Sequence, residues 1–184
     1  MLVVFWGDIW EILWYCIENI RKEGRNMSIE KVRAYFCSVG MEERVMEFPV
    51  SSATVELAAK ALGCAPCRIA KTLSFSVAGE PILVVTAGDT KIDNAKYKAR
   101  FGAKAKMLSA EDAVNLIGHA VGGVCPFAVN EGVAVYLDSS MKRFDTVFPA
   151  CGSSNSAIEM TMEDLEQHSG YTAWVDVCKI PEAY

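Results

Sequence analysis

Two strand-like runs joined by a tight turn constrain the fold of this 184-residue chain more than any other feature. Residues 69–77 (IAKTLSFSV) largely alternate between apolar and polar side chains, and residues 81–87 (PILVVTA) are rich in β-branched side chains. Residues 78–80 (AGE) lie between them and include a glycine, which tight turns favour. The pattern predicts a β-hairpin, around which the other elements must be arranged.

Five segments outside the hairpin carry the spacing or the capping signals of helices. Ser28 begins one that runs to about Val39 and ends at Gly40, and Ser51 with Ser52 begins a second. The other three are residues 91–101, residues 109–118 with Ser109 and Asp112 as a capping pair, and a short helix capped by Thr161 and Asp164.

Short strand-like segments separate these helices, at residues 43–48, 133–137, 144–148, 156–160 and 173–178. A hairpin mixed with irregularly spaced helices and strands is typical of α+β domains. The length suits one domain, and a hydrophobic content of 52% is enough for a full core. We therefore expect a single compact α+β domain with a curved, mixed β-sheet surrounded by helices.

The first 26 residues differ from the rest, since they hold three of the four tryptophans in an amphipathic pattern. They are too short and too charged to span a bilayer, and they lack the features of a signal peptide. Residues 1–26 are either an extra helix packed on the domain or on a partner, or sequence upstream of a true start at Met27. We favour the second interpretation because Met27 directly precedes a helix signal, which assigns the domain to residues 27–184. A membrane-surface helix would need more basic residues on its polar face.

The charge and the cysteines limit the possible functions. A net charge of −5 disfavours broad binding to DNA or to long RNA. Seven cysteines cannot all pair within the chain, and because the sequence shows no secretory signal we expect a reducing cytoplasm. Cys64 and Cys67 form a C-x-x-C without the second pair that a zinc site needs, so we interpret them as loop thiols and expect no metal and no cofactor.

Residues 91–106 are locally basic, with six cations against the single acid Asp93. The cations are Lys91, Lys96, Lys98, Arg100, Lys104 and Lys106. This segment is either a solvated helix face or a patch that meets a short piece of RNA backbone.

Three features have the residue types of a functional site. Lys71 lies among apolar neighbours on the first hairpin strand, either as an edge residue or as a pocket cation. Residues 122–126, here called the glycine loop, are Gly122, Gly123, Val124, Cys125 and Pro126, and two glycines allow a ligand to approach main-chain N–H groups. Asp138 ends a predicted strand, and the small polar run 151–156, which includes Gly152 and Ser153, suits a pocket rim or ordinary turns.

The sequence has no convincing nucleophilic triad. Neither His119 nor His168 lies near a serine or cysteine in a recognised elbow, and the Gly-x-Ser-x-Gly motif is absent. Cys125 is either a nucleophile in the glycine loop or a small apolar side chain.

In this order, these pieces resemble the YbaK/prolyl-tRNA synthetase-associated domain family over about residues 28–178. The resemblance rests on Leu62-Gly63, Pro66, Ile69-Ala70-Lys71-Thr72-Leu73, Gly122 to Phe127, Tyr136-Leu137-Asp138, Phe144, and Ile158-Glu159-Met160 to Leu165. It implies a compact α+β aminoacyl-tRNA deacylase that removes a wrong amino acid from tRNA as a trans-editing factor. The partner would be the acceptor end of an aminoacyl-tRNA, with an aminoacyl-tRNA synthetase as a second candidate, and neither DNA nor a membrane.

The resemblance also implies roles for particular residues. Lys71 and Asp138 would be the catalytic residues: Lys71 would hold the terminal adenosine or the aminoacyl ester, and Asp138 matches the family aspartate. The backbone of Gly122 to Pro126 would shape the amino-acid pocket, with Gly152 and Ser153 also binding substrate. Two departures, Cys125 and Cys151, would retune which amino acid is accepted. The alternatives are a non-catalytic module that binds aminoacyl-tRNA or a synthetase, and a thiol protein that uses Cys64, Cys67 or Cys125.

Overall fold

The computed structural model describes residues 28–181, and the predictions for residues 1–26 and for Met27 lie outside this range. The described chain forms five helices and ten strands. The helices are α1 (residues 28–38), α2 (Val55–Leu62), α3 (Asn94–Phe101), α4 (Ala110–Asp112, continued by a π-helical turn at Ala113–Ile117) and α5 (Met162–His168). None of these helices is long and apolar enough to cross a membrane.

The strands are short except for the two that form the predicted hairpin. They are β1 (Val45–Glu47), β2 (Ile69–Val77), β3 (Glu80–Ala87), β4 (Lys91–Ile92), β5 (Ala134–Asp138), β6 (Thr146–Pro149), β7 (Ser156–Ile158), β8 (Met160–Thr161), β9 (Ala173–Val175) and β10 (Cys178–Lys179). Turns of 3₁₀ helix occur at Glu42–Arg44, Pro66–Arg68 and Ser139–Arg143.

A six-stranded mixed sheet forms the centre of the fold, in the order β8-β6-β2-β3-β5-β9. The hairpin β2–β3 is antiparallel from the Ala70–Ala87 pair to the Val77–Glu80 pair, which confirms the prediction. β6 joins β2, and β5 and β9 join β3 in turn, all in parallel. The sheet curls into a half-barrel in one compact domain, as expected for the predicted α+β class.

Both faces of β3 are buried, because alternate side chains enter different cores. On β3, Leu83 and Val85 pack in a core with Phe36 of α1, while Val84 packs in a second core with Tyr97 of α3. All five of these side chains are fully buried. The helices therefore cover a central strand that is apolar on both sides, which accounts for the unbroken run ILVV in the sequence.

Two helices begin later than the sequence predicts, for local reasons. α2 starts after Thr54, whose side chain accepts a hydrogen bond from the N–H of Leu57, rather than at Ser51 and Ser52. α3 starts at Asn94, because the Asp93 carboxylate caps it. The two residues before Asp93 instead form β4, which pairs with β10.

The predicted strand at residues 173–178 is two strands that belong to different sheets. β9 pairs with β5, whereas β10 pairs with β4. The chain changes direction at Asp176 and Val177, where the N–H of Val177 donates to the carboxylate of Asp138 at 2.9 Å. Similarly, Glu159 separates β7 from β8, which pair with β1 and β6 respectively.

Candidate functional site

A cleft opens along one edge of β2, where the neighbouring strand β6 turns away. β6 pairs with β2 only at Ile69 and Ala70, and the next contact on that edge is a bridge between Phe75 and Met107. Within residues 28–181, no strand covers the edge of β2 between these two contacts. The gap is a cavity of about 410 Å³, and main-chain groups that a neighbouring strand would otherwise pair face it.

The walls of this cleft are mainly apolar and carry a single charge. They come from the start of α2, the middle of β2, residues 107–108, residues 121–124, and the chain around β6 and β7. Lys71 is the only charged residue among the described residues that line it. Thr72 also lines it, and its buried hydroxyl has no hydrogen-bond partner in the described part of the chain.

The ammonium group of Lys71 is held by the turn that follows β3. Its Nζ donates to the carbonyl oxygen of Gly88 at 3.0 Å and to that of Thr90. Because an ammonium has three N–H donors, one donor remains for a ligand. Burial lowers the pKa of this half-buried lysine. The sequence left open whether Lys71 is an edge residue or a pocket cation, and in the structure it lines the pocket.

Gly88, which the sequence did not single out, makes this arrangement possible. A Cβ at Gly88 would lie 2.1 Å from the carbonyl oxygen of Pro66 and 2.8 Å from Cγ1 of Val55. The close approach joins the lysine-binding turn to the 3₁₀ turn before β2 and to the start of α2. The sequence contains the signal, a glycine directly after a buried strand, but not the neighbours that require it.

A buried chain of hydroxyl groups connects this turn to Asp138. The hydroxyl of Thr90 contacts that of Thr86, which lies 3.2 Å from Oγ of Ser140. The N–H of Ser140 in turn donates to Oδ1 of Asp138 at 3.0 Å. Buried polar networks of this kind hold their members in one arrangement.

Asp138 itself is 1% exposed and lies behind the cleft. Its two carboxylate oxygens accept from the main-chain N–H groups of Ser140 and Val177. It borders a second cavity of about 340 Å³, which Lys96 and Arg143 also line. The structure therefore links Asp138 to Lys71 through three hydroxyl groups and the main chain of Thr90 and Ser140, and not by direct contact.

The glycine loop contributes only part of its length to the cleft. Gly122 and Val124 line it, whereas Gly123, Cys125 and Pro126 are buried beneath the surface. Gly123 packs against the main chain of Gly152, since a Cβ there would lie 2.7 Å from the Gly152 carbonyl. The close contact between Gly123 and Gly152 thus holds the loop against the segment around Gly152.

Gly152 and Ser153 lie one layer behind the cleft. A Cβ at Gly152 would lie 2.7 Å from the carbonyl oxygen of Ser28, so the main chain passes close to the start of α1. The hydroxyl of Ser153 donates to Oγ of Ser156 at 2.8 Å, and Ser156 lines the cleft. Both predicted residues therefore support the wall.

His119 ties the glycine loop to α1. Its Nδ1 contacts the hydroxyl of Ser28, and its Nε2 lies 2.8 Å from the carbonyl oxygen of Phe127. Because the carbonyl can only accept, Nε2 carries the proton and Nδ1 accepts from the serine. Burial lowers the pKa of His119 below its ordinary value of 6.5. Burial thus favours the neutral imidazole over the charged one.

We expect His119 to make the protein less stable as the pH falls below about 6.5. In this pH range the imidazole of His119 binds a proton more readily in the unfolded chain than in the folded one. The free energy of unfolding therefore falls as the pH falls, by up to about 1.4 kcal/mol per pH unit. Urea unfolding at pH 7 and pH 5 would show a smaller decrease in the free energy of unfolding for His119→Asn than for wild type. An equal decrease in the two proteins would exclude this role of His119.

The cysteines divide into buried and accessible groups. Cys125 is fully buried, with its Sγ 3.6 Å from Nε2 of His119, and burial raises its pKa to about 12. Cys151 is equally buried, and burial raises its pKa as well. Cys64 and Cys67 are partly exposed, but burial also raises the pKa of Cys64. Cys64, Cys125 and Cys151 therefore lack the low pKa that nucleophilic cysteines have.

Thiol labelling of the folded protein followed by peptide mapping should therefore separate the two groups. We expect Cys64 and Cys67 to react within minutes to hours at neutral pH, at rates ordinary for thiols. Cys125 and Cys151 should react only after unfolding. Rapid labelling of Cys125 in the folded protein would instead support the thiol hypothesis.

Among residues 28–181, no three His, Cys, Asp or Glu side chains are grouped so that they could hold a metal ion.

Comparison with known proteins gives one family. The family described as the aminoacyl-tRNA editing domain matches residues 50–168, and this range contains every residue that lines the cleft.

Relatives and solved structures agree with this match. The chain is 53% identical over 154 residues to YwhH of Bacillus subtilis (strain 168), an uncharacterized protein, covering 83% of this chain and 98% of YwhH. It is 32% identical over 130 residues to the proline–tRNA ligase of Lysinibacillus sphaericus (strain C3-41), covering 70% of this chain but 22% of that enzyme. A crystal structure of a protein proposed as a trans-editing enzyme for prolyl-tRNA synthetase has a TM-score of 0.74 at 26% identity, covering 83% of this chain and 97% of that one.

Proposed function

This chain belongs to the aminoacyl-tRNA editing domain family, and on that premise we propose that it hydrolyses the ester bond of misacylated tRNA as a trans-acting deacylase. The observation that carries the proposal is the cleft at the open edge of β2, where Lys71 is the only charged residue among the described residues of a mainly apolar wall. A general role in tRNA editing follows from membership of this family. The ester hydrolysis and its residues are our proposal.

The proposed reaction needs little from the protein beyond positioning and a polarised carbonyl. A water molecule attacks the ester carbonyl carbon, and the bond from that carbon to the ribose oxygen breaks. The ribose oxygen takes up a proton, which leaves a free amino acid and a tRNA with its terminal hydroxyl restored. Aminoacyl esters are already activated, so orientation and stabilisation of the developing oxyanion account for most of the rate.

We assign the central contact to Lys71. Two of its donors are held by the carbonyls of Gly88 and Thr90, which fixes the direction of the third. In an apolar cleft, a fixed cationic donor stabilises an oxyanion or a ribose oxygen more strongly than it would in water. Asp138 then acts as a positioning residue, since it reaches Lys71 through the hydroxyl chain.

The glycine loop is the proposed amino-acid site. Gly122 and Val124 present main chain and a small apolar side chain to the cleft. Gly123 and Gly152 allow the close packing that brings the loop there, while Cys125, Pro126 and Ser153 support it from behind. A cleft walled by small residues suits the short side chain of a wrongly attached amino acid.

One observation favours a different function, a module that binds aminoacyl-tRNA or a synthetase without turnover. The described residues that line the cleft include no carboxylate, histidine or cysteine to act as a general base, and Lys71 is used as a donor to the carbonyls of Gly88 and Thr90. In the deacylase, water or a group of the substrate itself must supply this role. The two functions differ in turnover alone.

A panel of mischarged tRNAs separates the two functions. Cysteine, alanine and serine would be attached to the proline acceptor and compared with the correctly charged tRNAs, because this set covers small side chains. We expect one mischarged species to lose its ester at least about tenfold faster than its correct counterpart. Tight binding of these tRNAs, with ester hydrolysis no faster than in buffer alone, would instead establish the binding module.

We expect the protein to act in the cytoplasm, where charged tRNA is found.

A further inference from the structure

We propose that the exposed surface formed by α3 and the segment that follows it, together with β4 and β10, binds the phosphate backbone of the tRNA acceptor arm. We define this basic face by Lys91, Lys98, Arg100, Lys104, Lys106 and Lys179. The inference rests on the proposed function, because it adds the place where the RNA lies to the cleft that takes its aminoacylated end.

The cations of the basic face form no salt bridges in the described part of the chain, although Lys179 is close enough to Asp93 to lower the pKa of that carboxyl, in addition to the larger effect of the hydrogen bond from the Lys96 N–H. All six side chains are exposed, and none forms a salt bridge within residues 28–181. The one acid in the segment, Asp93, is used by the fold, since its Oδ1 accepts from the N–H groups of Ala95 and Lys96 at the start of α3. Lys96 is paired with Asp176 and is therefore left out of the face.

Two arrangements within the face favour a bound anion. Lys91 and Lys179 lie directly opposite each other in the β4–β10 pair, and like charges in that position repel. Arg100 lies over two rings, with Cζ 5.3 Å from the centroid of Phe101 and 5.4 Å from that of Tyr136. The rings hold the guanidinium in place, and its N–H groups have no carboxylate to bind among the described residues, which suits a phosphate.

The basic face runs directly into the cleft. The carbonyl of Lys106 accepts from the N–H of Ser76 at 2.9 Å, which attaches this segment to the edge of β2. The next residue, Met107, lines the cleft. At the other end of the face, the positive charge of Lys91 is close enough to lower the pKa of Lys71, in addition to the larger effect of burial. An RNA whose end enters the cleft would therefore have its backbone beside this face.

Charge separation favours a polyanion on this face, and the connection of the face to the cleft makes that polyanion RNA rather than an acidic protein. Residues 91–106 hold six of the 18 basic residues and one of the 23 acidic residues, so the rest of the chain is strongly acidic. A polyanion is repelled by most of the surface and attracted to this face, which orients it before it binds.

Substrate size provides the test, since aminoacyl-adenosine fills the cleft but cannot reach the basic face. We expect Lys98→Glu/Lys104→Glu to lower kcat/KM for the mischarged tRNA at least about tenfold and to leave hydrolysis of the matching aminoacyl-adenosine unchanged. The dependence of log KM on log salt should become shallower by about one for each phosphate that the variant no longer neutralises. The control Lys31→Glu/Lys142→Glu makes the same charge change at exposed sites outside the face and should affect neither substrate.

The outcomes separate this inference from the proposed function. Equal losses on both substrates, or no loss on either, would overturn the basic face as the RNA site. If the wild type hydrolyses neither substrate, the deacylase function fails.

In that case, fluorescence anisotropy with uncharged proline-acceptor tRNA tests whether the basic face binds RNA. Binding at least about tenfold weaker in Lys98→Glu/Lys104→Glu than in the control supports the basic face as the RNA site. Equal binding by the two variants, or no binding by the wild type, excludes this site and leaves an acidic protein as the partner.

Discussion

Replacing Lys71 by methionine is expected to lower kcat/KM for the mischarged tRNA by about 100- to 1,000-fold. Methionine keeps the unbranched apolar stem but removes the only charge that lines the cleft among the described residues. Loss of one preorganised donor to a developing oxyanion costs about 3 kcal/mol of transition-state stabilisation. Single-turnover deacylation, with enzyme in excess over the mischarged tRNA, measures this loss directly.

The Lys71 substitution also has a cost in stability that must be kept apart from its effect on turnover. Without the ammonium, the carbonyls of Gly88 and Thr90 lose a partner, which costs about 1–3 kcal/mol for each group that stays buried. Assays should therefore run well below the unfolding midpoint of the variant. Lys60→Met, at an exposed lysine on α2, is the matched control and should retain full turnover. Retained turnover in the Lys71 variant would show that the lysine is not the donor.

Replacing Gly88 by alanine is expected to destabilise the protein by about 3 kcal/mol or more and to abolish turnover. The added methyl group would lie 2.1 Å from the carbonyl oxygen of Pro66. That oxygen belongs to the main chain and cannot rotate away as a side chain would, so the backbone itself must shift. Overpacking of this kind typically costs about 1–3 kcal/mol, and occasionally more. The shift would also move the carbonyl that orients Lys71.

Gly102→Ala is the matched control for this second variant. Gly102 ends α3 in the left-handed region, at φ 71°, and a Cβ there would meet nothing within 4 Å. Its replacement therefore costs only the backbone contribution, roughly 1 kcal/mol. Urea unfolding of both variants compares a steric cost with a conformational one. A smaller loss for Gly88→Ala than for Gly102→Ala would show that the turn adapts easily and that Gly88 does not hold the site.

The hairpin shows how much of the fold can be predicted from the sequence. Residues 69–87 have a short-range pattern, with alternation, a turn glycine and a β-branched run, and local patterns of this kind determine strand pairing directly. The capping pair Thr161 and Asp164 likewise marks the start of α5, where the structure has a capping box. The predicted helix at residues 91–101 was wrong in its first turn, because the pairing of β4 with β10 involves residues almost 90 positions apart.

The sequence by itself determined the class of the fold, the hairpin at its centre, the lysine and the glycine loop as candidates, and the family that they resemble. Each depends on residue types and on spacings within a few positions, where backbone geometry alone relates pattern to structure. The tertiary structure decided which candidates meet. It brings Lys71, Gly122 and Val124 to one cleft and leaves Cys125 and Asp138 behind it. It also shows Gly88 as the residue that the lysine turn depends on. These relations arise from contacts between distant segments, whose distances no local pattern encodes.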